Sequence, residues 1–185
     1  VPAESIPKFH PAKPIREGYS KLDTPAWVPD GKFLAFTDLA TGKLYKFTEG
    51  KDVAELGRGG RGKVGPDGVW YGLVDESLVS WKLGSEKPAL LLDKAPLNDI
   101  AVSTNKFAYF TLLKDPDKGR LTILDTRDGT ARVAFDGEKE PSLVNPNGVA
   151  LTPDGKHLYV GISSYKEKKH AGVYRFPILD DGGVD

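Results

Sequence analysis

The feature that most constrains this chain is a turn that keeps returning. Pro29-Asp30-Gly31 recurs as Pro66-Asp67-Gly68 and Pro153-Asp154-Gly155, and Ser103-Thr104-Asn105 holds the same kind of place. The second residues of these turns are 30, 67, 104 and 154, at separations of 37, 37 and 50. Behind each turn comes a short run rich in β-branched and aromatic residues: Phe33–Asp38, Val69–Val74, Phe107–Leu112 and His157–Ile162. A second run follows at Lys43–Phe47, Ser77–Leu83, Arg120–Leu124 and Gly172–Phe176, and a third at Asp52–Leu56, Ala89–Leu92 and Ala131–Phe135. Apolar runs bounded by Gly and Pro read as strands. Their recurrence predicts an all-β chain, a β-propeller of four-stranded blades, whose repeat is usually about 40–45 residues. A β-sandwich is the alternative, because short, evenly spaced strands suit it too.

The count of units is about four, either a four-bladed ring or four blades of a probable six. Residues 1–20, rich in Pro and Lys, read as an N-terminal arm, and residues 21–185 as the blades. Tyr165–His170, with Lys166, Lys168 and Lys169 around Glu167, reads as a solvated loop. Trp27, Trp70, Trp81, Phe36, Phe110 and Tyr159 fall in strand runs and are expected to pack between blades.

Charge narrows the function classes. Lys and Arg number 26, as do Asp and Glu, so the net charge is zero. Binding driven by phosphates or lipid headgroups is therefore not expected. No apolar stretch approaches the roughly 20 residues of a spanning helix. With no Cys there is no disulfide, zinc-thiolate site or thiol nucleophile. His10, His157 and His170 have no paired metal spacing. The chain opens on Val1 and contains no Met. That suggests a processed end and a periplasmic or secreted location, with a cytoplasmic one as the alternative.

In a propeller the innermost strands line a central channel, and the segments leading into them converge at one mouth. These segments are Leu22–Trp27, Arg58–Val64, Pro96–Val102 and Asn145–Leu151. Asp23, Asn98 and Asn147 precede their turns by seven, six and seven residues. Three such oxygens aimed inward would suit Ca²⁺. The competing reading is that each Asp or Asn caps its own turn. Asp99 either makes a strand hydrogen bond or faces the site. In the second blade, Arg61 or Arg58 either recognises a carboxylate or sugar-acid oxygen through its planar fork or is solvated.

Asn145–Val160 (NPNGVALTPDGKHLYV) closely resembles a signature of the senescence-marker-protein/gluconolactonase/luciferin-regenerating-enzyme-like family, which is itself similar to the paraoxonases. Leu97–Val102 (LNDIAV) resembles that family's Asn-Asp-Val segment, and Asp23–Trp27 (DTPAW) its Glu-Gly-Pro-x-Trp segment. The resemblance implies a six-bladed propeller with one divalent cation, usually Ca²⁺, with Mg²⁺, Mn²⁺ or Zn²⁺ as alternatives. Asp23 would stand in for the family's metal-binding Glu, Asn147 would be its metal-binding amide, and Asn98 a further ligand. Asp99 would be the catalytic general base. The family's remaining Asp ligand has no counterpart before Asp185.

Two functions follow as expectations. One is a metal-dependent hydrolase of a lactone, sugar-acid lactone or related ester, in which the cation polarises the carbonyl and lowers the pKa of a bound water. No Gly-x-Ser-x-Gly element is present to support a serine nucleophile. The other is a non-catalytic propeller that binds a small ligand or a protein partner, with Ca²⁺ as a structural ion.

Overall fold

The computed structural model describes residues 14–85, 87–112, 119–137, 139, 143, 145–163 and 171–185. His10, His170 and the Lys166–Lys169 loop lie outside them. Among these described residues, fifteen strands occur in this order: β1 (Leu22–Val28), β2 (Phe33–Asp38), β3 (Lys43–Phe47), β4 (Ala54–Arg58), β5 (Gly62–Val64), β6 (Trp70–Val74), β7 (Ser77–Trp81), β8 (Ala89–Leu92), β9 (Leu97–Val102), β10 (Phe107–Leu112), β11 (Arg120–Asp125), β12 (Ala131–Asp136), β13 (Pro146–Leu151), β14 (His157–Ile162) and β15 (Gly172–Pro177). They form four antiparallel sheets in sequence order, β1–β4, β5–β8, β9–β12 and β13–β15. These are propeller blades, and the sandwich alternative falls away. The last sheet has three strands among the described residues.

The turns sit where the repeat put them, and they also join blades. A Cβ on Gly68 would lie 3.4 Å from Asp30, and one on Gly155 4.0 Å from Thr104. Between the second and third blades, Asp67 accepts from the Tyr71 hydroxyl at 2.8 Å and from Lys106 Nζ at 2.9 Å.

Each interface between blades is an apolar layer supplied by alternate residues of facing strands. Val28, Phe33, Ala35 and Leu44 meet Trp70, Val79 and Trp81 between the first two blades. Tyr71 and Leu78 meet Ile100, Ala108, Phe110 and Leu124 between the second and third. Phe107, Tyr109, Leu121 and Ile123 meet Val149, Leu158, Val160 and Ile162 between the third and fourth. Strand β10 therefore sends Phe107 and Tyr109 one way and Ala108 and Phe110 the other, which explains why it reads as one continuous apolar run.

The innermost strands stand in the order β1, β5, β9, β13, each beside the next, whereas β13 and β1 are not packed side by side in that way. The four blades thus form an open arc, and its end faces correct three packing expectations. Tyr159 occupies the register of the fully buried Tyr109 but points away from the third blade and is 37% exposed. Trp27, on β1 of the first blade, is 58% exposed. Trp70, Trp81 and Phe110 are buried between blades as expected, whereas Phe36 is buried on the open side of the first blade. On the open side of the first blade, the Tyr19 ring meets Phe36 edge-on at 5.4 Å. At the other end of the chain, Tyr109 donates to the Gly182 carbonyl at 3.0 Å, and burial pushes the Tyr109 phenol up to about 12.

Two outcomes are expected. Phe110 is fully buried between blades, so Phe110→Ala should cost about 3–5 kcal/mol in denaturant unfolding, while Trp27→Ala should cost far less. The Asp67 carboxyl is held below the ordinary carboxylate range: burial pushes it up, but hydrogen bonds from Lys106, Tyr71 and the Val69 amide outweigh that. A carboxyl depressed in the folded state contributes stability above its unfolded pKa of about 4 and loses it as pH falls through the folded value. Stability below about pH 4 should therefore fall more steeply in the wild type than in Asp67→Asn, as read from melting midpoints across pH.

Candidate functional site

Three of the four inner strands carry a β-bulge at the candidate position. In β1 the register shifts between Asp23 and Ala26, so Thr24 and Pro25 oppose Phe36 alone. In β9 Asn98 is the extra residue between Leu97 and Asp99, and in β13 Asn147 and Gly148 together oppose Gly161 alone. A bulge frees a residue from the ladder and re-aims its side chain. Asn145 precedes the β13 bulge at φ 57, in the left-handed region that Asn tolerates better than most residues.

A buried hydroxyl on the second strand supports these bulges. Thr111 Oγ1 donates to the Asn147 carbonyl at 2.6 Å and accepts from the Asp99 amide at 3.2 Å. In the first blade Thr37 holds the equivalent place, donating to the Asp23 carbonyl at 3.2 Å and lying 2.9 Å from Thr24 Oγ1. Neither threonine was among the sequence candidates. Yet FLAFT and FAYFT carry Thr at the same fifth position, a signal that superposing the repeats exposes.

Asn98, Asp99 and Asn147 come together. Asn98 Nδ2 donates to Asn147 Oδ1 at 2.7 Å and to its carbonyl at 3.1 Å, and Asn147 Nδ2 donates to Ser163 Oγ at 3.2 Å. Asp99 makes a strand hydrogen bond and also faces the site. Its Oδ1 accepts from the Ile100 amide at 2.9 Å, and its Oδ2 accepts from the Val149 amide of the next blade, also at 2.9 Å. A third donor is Lys63 of β5, whose Nζ lies 2.8 Å from Asp99 Oδ1 and 3.4 Å from the Val149 carbonyl. Lys63 was not among the sequence candidates, although it stands two residues after Arg61 and so on the same side of the chain.

Asp23 sits with Arg61, whose Nε is 3.5 Å from Asp23 Oδ2, while Asp23 Oδ1 accepts from the Thr24 amide at 2.7 Å. Arg58 is elsewhere. It ends β4, the outermost strand of the first blade, because β4 runs two residues later than the third run of the sequence reading, and its Nε pairs with Asp75 at 3.0 Å.

The backbone of β5, which carries Lys63 and follows directly on Arg61, is closely confined. Gly62 pairs with Gly72, and a Cβ on either would come within 2.7 Å of the Trp70 ring.

The divalent cation implied by the resemblance can be tested against these donors. Among the described residues, no three His, Cys, Asp or Glu side chains converge on one point. Asn98 turns an N–H, not an oxygen, toward Asn147, and both carboxylates already face a cationic side chain. At an effective dielectric of about 20, two like unit charges about 4 Å apart repel by about 4 kcal/mol, so a divalent ion beside the Lys63 ammonium would face about twice that. As arranged, these residues do not fit a divalent cation.

With this geometry in view, the chain can be compared with known proteins. It is 30% identical to a gluconolactonase of Zymomonas mobilis over 211 aligned positions, covering 94% of this chain and 56% of that protein. A gluconolactonase of Xanthomonas campestris superposes with a TM-score of 0.67 at 18% identity, over 90% of this chain and 60% of that one. In sequence and in fold the chain resembles the senescence-marker-protein/gluconolactonase/luciferin-regenerating-enzyme-like propellers. A luciferin-regenerating enzyme also superposes, with a TM-score of 0.65 at 16% identity over 90% of this chain and 59% of that one. No family model matches the chain. The chain spans about half the length of the curated relative it matches. A chain of a nidogen/laminin complex reaches a TM-score of 0.61 at 15% identity, so the structural likenesses by themselves establish the fold alone.

Thr111 lends itself to a direct test. Thr111→Val keeps the shape but leaves the Asn147 carbonyl and the Asp99 amide without this partner. It should cost about 1–3 kcal/mol in urea unfolding, whereas removing the exposed Thr126 hydroxyl, which donates to the Lys106 carbonyl, should cost well under half of that.

Proposed function

We propose that this protein hydrolyses a lactone or a related ester, at the axial cluster of Asn98, Asp99 and Asn147. The observation that carries this reading is the joining of those three residues on bulged inner strands, in a chain whose sequence is similar to a gluconolactonase across nearly its whole length. A sugar lactone is the substrate class that likeness favours.

In this reading, water adds to the acyl carbon, the ring C–O bond breaks, and the proton lost by the water ends on the released hydroxyl, giving a hydroxy acid. Asp99 takes the proton from the attacking water. A carboxylate offers about four acceptor sites, and three on Asp99 are used by Lys63, Ile100 and Val149, which leaves one for the water. The same three donors hold the carboxylate in a fixed orientation. The guanidinium of Arg61, only half-buried beside Asp23, has N–H groups to spare for the carboxylate that forms in the product. Asn98 spends its amide hydrogens on Asn147 and keeps its own carbonyl oxygen for a substrate hydroxyl.

We further propose that the four blades are an arc of a larger ring, since Tyr159 and the three-quarters-exposed Val173 face outward from the fourth blade and soluble proteins seldom leave such faces bare.

The test is hydrolysis of glucono-1,5-lactone, followed by acid release in weakly buffered indicator. The wild-type protein should exceed the spontaneous rate, and Asp99→Asn should lose about 10²–10⁴-fold in kcat while keeping a wild-type circular dichroism spectrum. Equal rates for the two proteins would remove Asp99 from the mechanism. No rate above background with any sugar lactone would leave the binding module as the function.

A further inference from the structure

We propose that Lys63 is the resident cation of this propeller axis, filling the electrostatic role that the family resemblance gives to a divalent metal. The inference concerns how the axis is held together, and it stands whether or not the protein turns over a lactone.

Lys63 extends from the second blade to the third and fourth. Its ammonium lies 2.8 Å from the Asp99 carboxylate and 3.4 Å from the Val149 carbonyl, while the other Asp99 oxygen takes the Val149 amide at 2.9 Å. Three blades thus meet through one ammonium and one carboxylate. An ammonium has three donors and no acceptor, so it can serve both oxygens at once, as a bound cation would.

The neighbouring groups are built consistently with this. Asn147 Oδ1 and its carbonyl are both supplied with N–H by Asn98, so that amide needs no metal to satisfy it. The second carboxylate of the axis, Asp23, faces its own fixed cation, Arg61. Cations and anions therefore match one to one, and an added divalent ion would leave an excess of positive charge.

The backbone that carries Lys63 is closely confined. Its neighbour Gly62 lies against the Trp70 ring and the Tyr71 carbonyl, where a Cβ would be at 2.6 Å from each, so the root of the side chain is held while its ammonium is placed by Asp99 and Val149.

The experiment is calorimetric titration of the protein with CaCl₂, and separately with MgCl₂, together with melting midpoints in CaCl₂ and in EDTA. For the wild type we expect no saturable uptake up to about 1 mM, the weak limit for protein calcium modules, and the same midpoint in both media. Lys63→Met keeps the length of the side chain and removes the charge. It should melt several degrees lower and recover when CaCl₂ is added, because Asp99 is then left without its partner. Lys63→Arg should melt close to the wild type in EDTA. One equivalent of Ca²⁺ or Mg²⁺ bound by the wild type overturns the proposal, and so does a Lys63→Met midpoint equal to the wild type in EDTA. If Lys63→Met does not fold, the wild-type titration and the Lys63→Arg midpoint decide. No uptake with a wild-type-like midpoint supports the assignment, and a bound equivalent of cation or a collapsed midpoint refutes it.

Discussion

The carboxylate of Asp99 is the point on which the arrangement turns. Blades of a propeller are separate sheets, and apolar layers hold them together without fixing their angle finely, because burial is non-directional. Asp99 adds direction. It takes an amide from its own strand, an amide from the next blade and an ammonium from the previous one. A half-buried carboxylate with three donors is costly to strand and costly to move. The neighbouring Asn98 and Asn147 take their geometry from this anchor, since they flank the same two strands at their bulges.

The fold was legible in the sequence because the repeat is punctuated by chemistry with a physical cause. Pro sets φ, Asp bonds its own turn, and Gly accepts the left-handed conformation that Gly68 and Gly155 adopt. Strands β2, β3, β8, β10 and β14 begin and end where their apolar runs do. Where punctuation was weaker the reading slipped, as at β4, whose Ala54–Arg58 span carried Arg58 out of the second blade and onto the edge of the first. Trp27 and Tyr159 were misplaced for a different reason. Alternation tells which side of a strand a residue takes, but not whether a neighbour is present on that side.

The site was legible in part. Asn98 and Asn147 could be found because their distance from a turn recurs, and Asp99 because it adjoins Asn98. The pairing of Asn98 with Asn147 could not, since nothing in sequence says which atom of an amide meets which. Lys63 escaped because the search was for oxygens that hold a cation, and a side chain that brings its own charge does not answer to that description. Thr111 escaped because it lies on the second strand, one layer out from the channel, and acts only through the backbone it holds.

The glycine pair in the second blade has a consequence for how this surface can change. Gly62 and Gly72 face each other across β5 and β6, with the Trp70 ring lying over both. Any larger residue at either place collides with indole and backbone together, so these two positions are closed to variation while Trp70 stays. Arg61 and Lys63, on either side of Gly62, remain free to alter what the second blade presents to the channel. A lineage that kept this packing would therefore diversify its ligand preference by exchanging those two side chains, one on each side of a glycine that does not change.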